Sequence, residues 1–235
     1  MIINSQLWTV DAAIDAHVKH IIYSSTVACD TNTGVGHWES SFQTESYLRK
    51  AAEQADYDLR YHSVRLSHFN ENILPGSYFP PKKGKLKYLW GVDVSVATSS
   101  LRDAARVVVK LFADPSLLPN GGHTDAVTES VTPNQIAQAI SVAKNETIKA
   151  AHGPLFFLRF GHLFGWIPNS IVTMAKFIDN SESHPGYKAN SDDMLNLLRD
   201  ELEDEPLETI DEFALRHYAK KVYLAKPKCY YWMKI

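Results

Sequence analysis

The sequence predicts an α/β fold built on a parallel sheet, and three observations predict it. Two β-branched and aromatic runs, Val18 to Tyr23 and Tyr61 to Leu66, have the length and composition of buried strands. Between them, from about His37 to Gln54, apolar residues recur at helical spacing, and a crossover of that kind requires parallel strands and a right-handed connection. The third observation is compositional: 235 residues, 45% of them apolar, can bury a substantial core as one domain or little more.

Each element follows from local pattern. Leu7 to Ala16 is predicted helical because Val10, Ala13, Ile14 and His17 share a face, with Asp11 and Asp15 outward. The strand at 18–23 ends in three hydroxyl residues, Ser24, Ser25 and Thr26. In doubly wound sheets the carboxyl ends of the strands border the ligand crevice, so these hydroxyls are the first candidate binding residues. Asp30 to Gly36 is a polar loop, and the helix after it places Trp38, Phe42, Leu48, Ala52 and Ala55 near one face. Ser67 to Lys87 holds Pro75, Gly76, Pro80 and Pro81, too many breakers for a regular element, and Lys85 to Trp90 returns as a short edge strand.

Ser100 caps a helix with Asp103 at its third position, and Ala104, Val108, Leu111 and Phe112 are its expected buried stripe before Asp114-Pro115 stops it. Thr132-Pro133-Asn134-Gln135 repeats that pattern and opens a helix through Ile136, Ala137, Ile140 and Ala143. Further helices are expected over Asn169 to Asp179, Asp192 to Leu202 and Ile210 to Lys220, the last capped by Thr209 with Glu212. Residues 1–120 are thereby assigned to the sheet domain, 121–225 to a helix-rich lobe over it and 226–235 to a tail.

Charge and composition narrow the function classes. A net charge of -3 and a pI of about 6.4 make no electrostatic case for a nucleic-acid partner. Cys29 and Cys229 lie far apart with no Cys-x-x-Cys spacing, which favours free thiols in a reducing compartment. The N-terminus has no signal-peptide pattern, and Arg159, His162, Pro168 and Lys176 interrupt the most apolar stretch, Leu155 to Ile178, so no membrane span is expected. Placement in the cytoplasm follows, with the nucleus as the alternative.

The catalytic and binding motifs are mostly incomplete. A phosphate-cradling G-x-G-x-x-G is missing: Gly34-Val35-Gly36 has Glu39 at the third position and follows a loop, and it reads as a flexible entry to a helix. Tyr-x-x-x-Lys, in which the ammonium lowers the phenol pKa one helical turn away, occurs at Tyr78–Lys82 and Tyr230–Lys234. The first contains Pro80 and Pro81 and the second ends the chain, so neither is taken as a catalytic pair, and no catalytic residue is assigned. Lys82, Lys83, Lys85 and Lys87, beside Tyr88 and Trp90, suit a phosphate or a nucleic acid, but a solvated edge strand that uses lysine against aggregation explains them as well. His17 and His20 lack ligand partners at metal spacing, no G-x-S-x-G elbow is present, and Asp200 to Glu205 reads as a solvated helix end.

Taken in order, several segments resemble the NmrA-like family, an atypical branch of the short-chain dehydrogenase/reductase superfamily. Val18-Lys19-His20-Ile21-Ile22-Tyr23-Ser24-Ser25 resembles its fifth strand, and His37-Trp38-Glu39-Ser40-Ser41, continuing to Glu45 and Tyr47-Leu48-Arg49, resembles the helix after it. Ser63 to Asn72 resembles the next strand with its post-strand loop ending in Glu-Asn, and Asp103-Ala104-Ala105 resembles an Asp-Ile-Gly helix start. Thr132 with its helix and Thr209 to Ala214 are similar to late family helices, so the likeness covers about residues 5 to 220.

That resemblance implies an incomplete Rossmann-like parallel sheet with a helix-rich C-terminal lobe, and NADP or NAD as cofactor. It implies Ser24, Phe69, Asn70 and Asn72 as contacts on the nicotinamide side, with Ser25 beside them and Ser41 at the position of a ribose-contacting lysine. Ser67 replaces a proline and Ala105 a glycine of the family pattern. The family's first four strands and glycine loop fall before the matched region; at roughly 30 residues per βαβ unit, some 70 to 80 residues would be missing, leaving an apolar edge at Val18 to Tyr23. Charge-assisted hydrogen bonds of about 1.5–3 kcal/mol each, lost two or three at a time, weaken dinucleotide binding by roughly a thousandfold or more. The expectation is therefore a truncated, non-catalytic regulator or redox sensor that binds NAD(P) poorly. The alternatives are an NAD(P)H-dependent reductase, quinone- or isoflavone-reductase-like, acting on a small apolar molecule, and a protein-interaction module that uses the helical half to hold a protein partner.

Overall fold

The computed structural model describes residues 2–153, 169–180 and 191–219. Cys229, the pair Tyr230–Lys234, the tail 226–235 and the first part of the apolar stretch after Leu155 lie outside the described residues. The chain begins with α1 (Ile2–Asp15), β1 (His20–Thr26), α2 (Gly36–Gln54) and β2 (Arg60–Leu66). β1 and β2 are parallel, with Ile22 opposite His62 and Ser25 opposite Arg65, as a helical crossover demands. β6 (His123–Ala126) extends this sheet in parallel on the far side of β2, so a strand from beyond residue 120 belongs to it. The order is β1-β2-β6, which leaves β1 outermost among the described residues.

One residue after β2, β3 (His68–Phe69) enters a second sheet, pairing in parallel with β5 (Val96–Ser99), which pairs antiparallel with β7 (Glu129–Val131). β4 (Lys85–Tyr88) is parallel to β8 (Lys149–His152). The fold is thus α/β with parallel strands and intervening helices, as the pattern predicts. The described residues hold five further helices: α3 (Leu101–Ala113), α4 (Pro133–Lys144), α5 (Asn169–Asp179), α6 (Ser191–Leu198) and α7 (Ile210–Tyr218).

The caps form as the local sequence dictates. Ser100 accepts from the Asp103 amide, and both Thr132 with Gln135 and Thr209 with Glu212 close reciprocal capping boxes. The buried faces depart from expectation in two places. On α3 the inward residues are Asp103, Ala104, Val107 and Leu111, whereas Phe112 is 56% exposed and sets its edge against the His20 ring at 5.4 Å. One step past Leu111 turns a side chain by about 100°, which carries Phe112 off the stripe. On α2, Trp38 and Leu48 are buried but Phe42 is exposed, and the buried middle of the helix is Ser40, Ser41, Thr44 and Glu45.

That polar middle reflects how α2 is used. Its N-terminal Trp38 packs in the larger core with Tyr88, Trp90, Ile136, Ile140 and Phe213, while Leu48 packs with Val10 and Tyr61 under α1. A separate core of Val64, Val107, Leu111, Ala126, Met194 and Leu198 fixes α3 and α6 against the β1-β2-β6 sheet. The acidic run after α6 is only partly solvated, because Glu201 accepts an ion pair from Lys110 at 3.0 Å and Glu205 approaches Arg102 at 3.7 Å.

Candidate functional site

The carboxyl ends of β1 and β2 lie side by side, and the candidate residues divide there into two groups. Ser24 is exposed, whereas Ser25 is buried opposite Arg65 with its hydroxyl 3.7 Å from the Cys29 thiol. Ser41 reaches the same rim from α2: it is buried, its hydroxyl sits 3.3 Å from that of Thr26, and it donates to the His37 carbonyl at 3.3 Å. These three residues share the first group with Thr26.

Beneath them lies a charge cluster that pattern reading missed. The Arg65 guanidinium donates to both oxygens of Glu45, at 3.1 and 2.8 Å, and to Asp30 at 2.9 Å. The side chains of Arg65 and Glu45 are only 7% and 6% exposed, so this is a bidentate pair in a nearly dry setting. Burial opposes the arginine charge, but the Glu45 carboxylate more than compensates and holds the guanidinium above its ordinary pKa. Cys29 donates to the same carboxylate at 3.7 Å, and burial, reinforced by Glu45, pushes its thiol up to about 11. The thiol is therefore protonated near neutrality and is a poor nucleophile. An arginine inside a strand of otherwise buried residues, and a glutamate on the inward side of α2, were the available signals.

The second group follows β2. Ser67 spans the junction, bonding Ser99 at 3.2 Å and donating to the Ala126 carbonyl at 3.3 Å. Phe69 ends β3 half-buried, and the 3₁₀ turn Asn70–Ile73 comes next. Asn70 is 2% exposed, yet among the described residues neither its Oδ1 nor its Nδ2 has a hydrogen-bond partner. Native folds seldom leave both ends of a buried amide unpaired, so this side chain is the strongest pointer to a ligand at the rim. Asn72 is half-buried with Nδ2 3.4 Å from His68 Nδ1, and its carbonyl accepts from the Phe79 amide at 2.8 Å. Glu71 turns the other way and accepts from the Leu101 amide at 3.0 Å, which tethers the turn to the start of α3. Among the described residues no hydrogen bond joins this group to Ser24, Ser25 or Ser41; the continuous backbone from β2 to β3 relates them.

His68 sets the floor of this rim. Its ring lies 5.5 Å from Phe79, 5.9 Å from Tyr88 and 5.6 Å from Trp90, and burial pushes its pKa down to about 4. The imidazole is neutral at pH 7 and serves the packing. The remaining motifs take structural positions. The Gly34 amide donates to Glu39 at 2.8 Å, so a carboxylate occupies the donor that a phosphate would need. Tyr78 and Lys82 lie on an irregular segment rather than a helix. His17 stacks on Tyr57 at 4.9 Å, and His20 bonds His62 at 2.9 Å.

Comparison with known proteins agrees with this geometry. No curated protein sequence matches the chain. Among solved structures, an NADPH-dependent quinone oxidoreductase from Escherichia coli superposes with a TM-score of 0.67 at 18% identity, over 90% of this chain and 72% of that one. The triphenylmethane reductase of a Citrobacter species, complexed with NADP(H), gives 0.65 at 16% identity over 92% and 70%. The negative transcriptional regulator NmrA in complex with NAD gives 0.63 at 19% identity over 92% and 69%. Identities this low carry the fold alone, which is Rossmann-like. The sequence profile of the NmrA-like family, however, matches residues 1–214, which is most of the chain, and the chain therefore belongs to the NmrA-like family.

Proposed function

We propose that this chain is a dinucleotide-responsive regulator that contacts the nicotinamide end of NAD(P) and does not turn over a substrate. The observation that carries the reading is Ser41: its buried hydroxyl is tied to Thr26 and to the His37 carbonyl, at the position where the family resemblance calls for a lysine. A short neutral side chain held in this way neither reaches toward a ribose nor lowers the pKa of a neighbouring acid. The other ionisable groups beneath the rim, Arg65, Glu45 and Cys29, are engaged with one another.

The fit to a dinucleotide is one-sided. Asn70 offers an unpaired donor and an unpaired acceptor, the complement of a carboxamide such as nicotinamide carries; Phe69 and Asn72 flank it in the chain, and Ser24 and Ser25, at the end of β1, would be the further contacts. The bound group would supply hydride chemistry; these residues would orient it and exclude water. Toward a pyrophosphate the described residues present no free glycine-rich turn, since Gly34 is already bonded to Glu39. Binding through this chain's own residues is accordingly weak. A regulator of this type acts by holding a protein partner, for which the helical second half of the chain is the natural surface.

Calorimetry with NADP and NADPH, run beside an NADPH-oxidation assay over a quinone and carbonyl panel, tests the proposal. Dissociation constants well above micromolar and no turnover are expected; micromolar affinity or steady NADPH oxidation overturns it. The second reading, an NAD(P)H-dependent reductase of a small apolar substrate, is favoured by the quinone oxidoreductase and triphenylmethane reductase among the structural neighbours. Ser41→Lys separates the two. Tighter NADPH binding without turnover supports the regulator, whereas a gain of oxidation supports the reductase.

A further inference from the structure

A lysine-rich turn remains outside the site described above. Lys82 and Lys85 exchange backbone hydrogen bonds at 2.8 and 3.1 Å across Lys83 and Gly84. Both central residues have positive φ, 50° at Lys83 and 71° at Gly84, which is the type I′ geometry that pins a two-residue turn rigidly. The turn is also tied to β8, because the Lys149 amide donates to the Gly84 carbonyl at 3.0 Å. Its base is equally fixed: Leu86 and Tyr88 are buried, and Phe79 stacks on Tyr88 with ring centroids 4.6 Å apart.

This rigid frame gathers positive charge with no ion-pair partner among the described residues. Lys82, Lys83, Lys85 and Lys87 are all exposed, Lys85 pairs in register with exposed Lys149, and lysine ion pairs among the described residues involve only Lys110 and Lys144. Like charges placed opposite one another across a strand pair destabilise it, so such a cluster on a chain of net charge -3 needs a reason beyond solvation. These four lysines line a surface pocket of about 720 Å³, joined among the described residues by Tyr78, Phe79 and Pro80. Tyr78 is 83% exposed, the largest exposure of any large apolar or aromatic side chain described. An edge strand guarded by lysine, the sequence expectation, explains neither the concavity nor the bare tyrosine.

We propose that this pocket is a binding site for a compact ligand bearing three or more clustered phosphates on a ring, the chemistry shared by soluble inositol polyphosphates and phosphoinositide headgroups. The volume falls in the range of small-ligand sites, roughly 300–1,000 Å³, and argues for a compact polyanion rather than a polymer laid along a groove. Lysine ammonium groups on flexible stems provide the phosphate contacts, while Tyr78, Phe79 and Pro80 offer an apolar wall to the ring. The lysines lie outside the dinucleotide rim, to which the pocket is joined through Phe79, and the test does not depend on that reading.

Titration calorimetry of the intact chain with inositol hexakisphosphate, at about 0.15 M salt so that diffuse attraction is screened, is the direct experiment. Saturable one-site binding is expected. Lys83→Glu with Lys85→Glu weakens it at least about tenfold, and Tyr78→Ala weakens it by a smaller factor that is insensitive to salt. The control pair Lys50→Glu with Lys176→Glu, which makes the same charge change on exposed helical positions, leaves the affinity within about twofold. Flotation with phosphatidylcholine vesicles, with and without phosphatidylinositol bisphosphate, separates the two sources of the headgroup, and capture by either source supports the site. Equal loss in the control pair, binding of neither hexakisphosphate nor the bisphosphate vesicles, or tighter binding of a random DNA duplex overturns the proposal.

Discussion

Arg65 is the residue on which the rim depends most. Its bidentate pairing with Glu45 brings the strand and helix together where both are buried, and Asp30 takes a third donor. Removing one partner of such a pair strands the other in a medium that solvates it badly. Arg65→Ala is expected to lower the unfolding free energy by about 3–5 kcal/mol, read from urea denaturation. Replacing both buried partners, Arg65→Met with Glu45→Leu, is expected to recover most of that loss, because it removes the desolvated charges together. Asp30 does not share the penalty, since its side chain is 39% exposed and water can replace the arginine.

At the scale of elements, the caps decide where the helices begin, and α4 is the clearest example. Thr132 accepts from the Gln135 amide at 3.2 Å while Gln135 accepts from the Thr132 amide at 2.7 Å, and Pro133 fills a position whose amide needs no partner. Thr132→Ala is expected to cost about 1 kcal/mol, seen as a lower thermal midpoint with no change in far-ultraviolet dichroism. Such signals act within four residues and were legible from the sequence, as the Ser100, Thr132 and Thr209 caps confirm. The face that a helix buries is set by its neighbours, and there α2 and α3 departed from expectation. Glu45 is inward because Arg65 awaits it, and Phe112 is turned off the buried stripe toward the His20 ring at the start of β1.

For the molecule as a whole, the histidines make stability pH-dependent. His68 titrates near its ordinary 6.5 when unfolded but at about 4 when folded, so between these values the unfolded chain binds the extra proton. Its stabilisation is complete above about pH 6.5 and is lost as pH falls toward 4, amounting to at most about 3 kcal/mol. His20, His37, His62 and His217 shift in the same direction, burial being the leading cause, and add to the slope. Urea midpoints are expected to fall steadily between pH 7 and pH 4.5, and His68→Phe, which keeps a ring among Phe79, Tyr88 and Trp90, is expected to flatten that dependence. By itself the sequence determined the α/β class, the parallel β1–β2 unit, the helix starts and the family likeness, because periodicity, propensity and capping are written within a few residues. Only the tertiary structure decided that Glu45 and Asp30 hold Arg65, that Ser41 is tied to Thr26, that Asn70 is buried without a partner among the described residues and that four lysines ring one pocket. Those facts depend on contacts between segments tens of residues apart, and their energies come from burial and charge pairing, which local pattern does not encode.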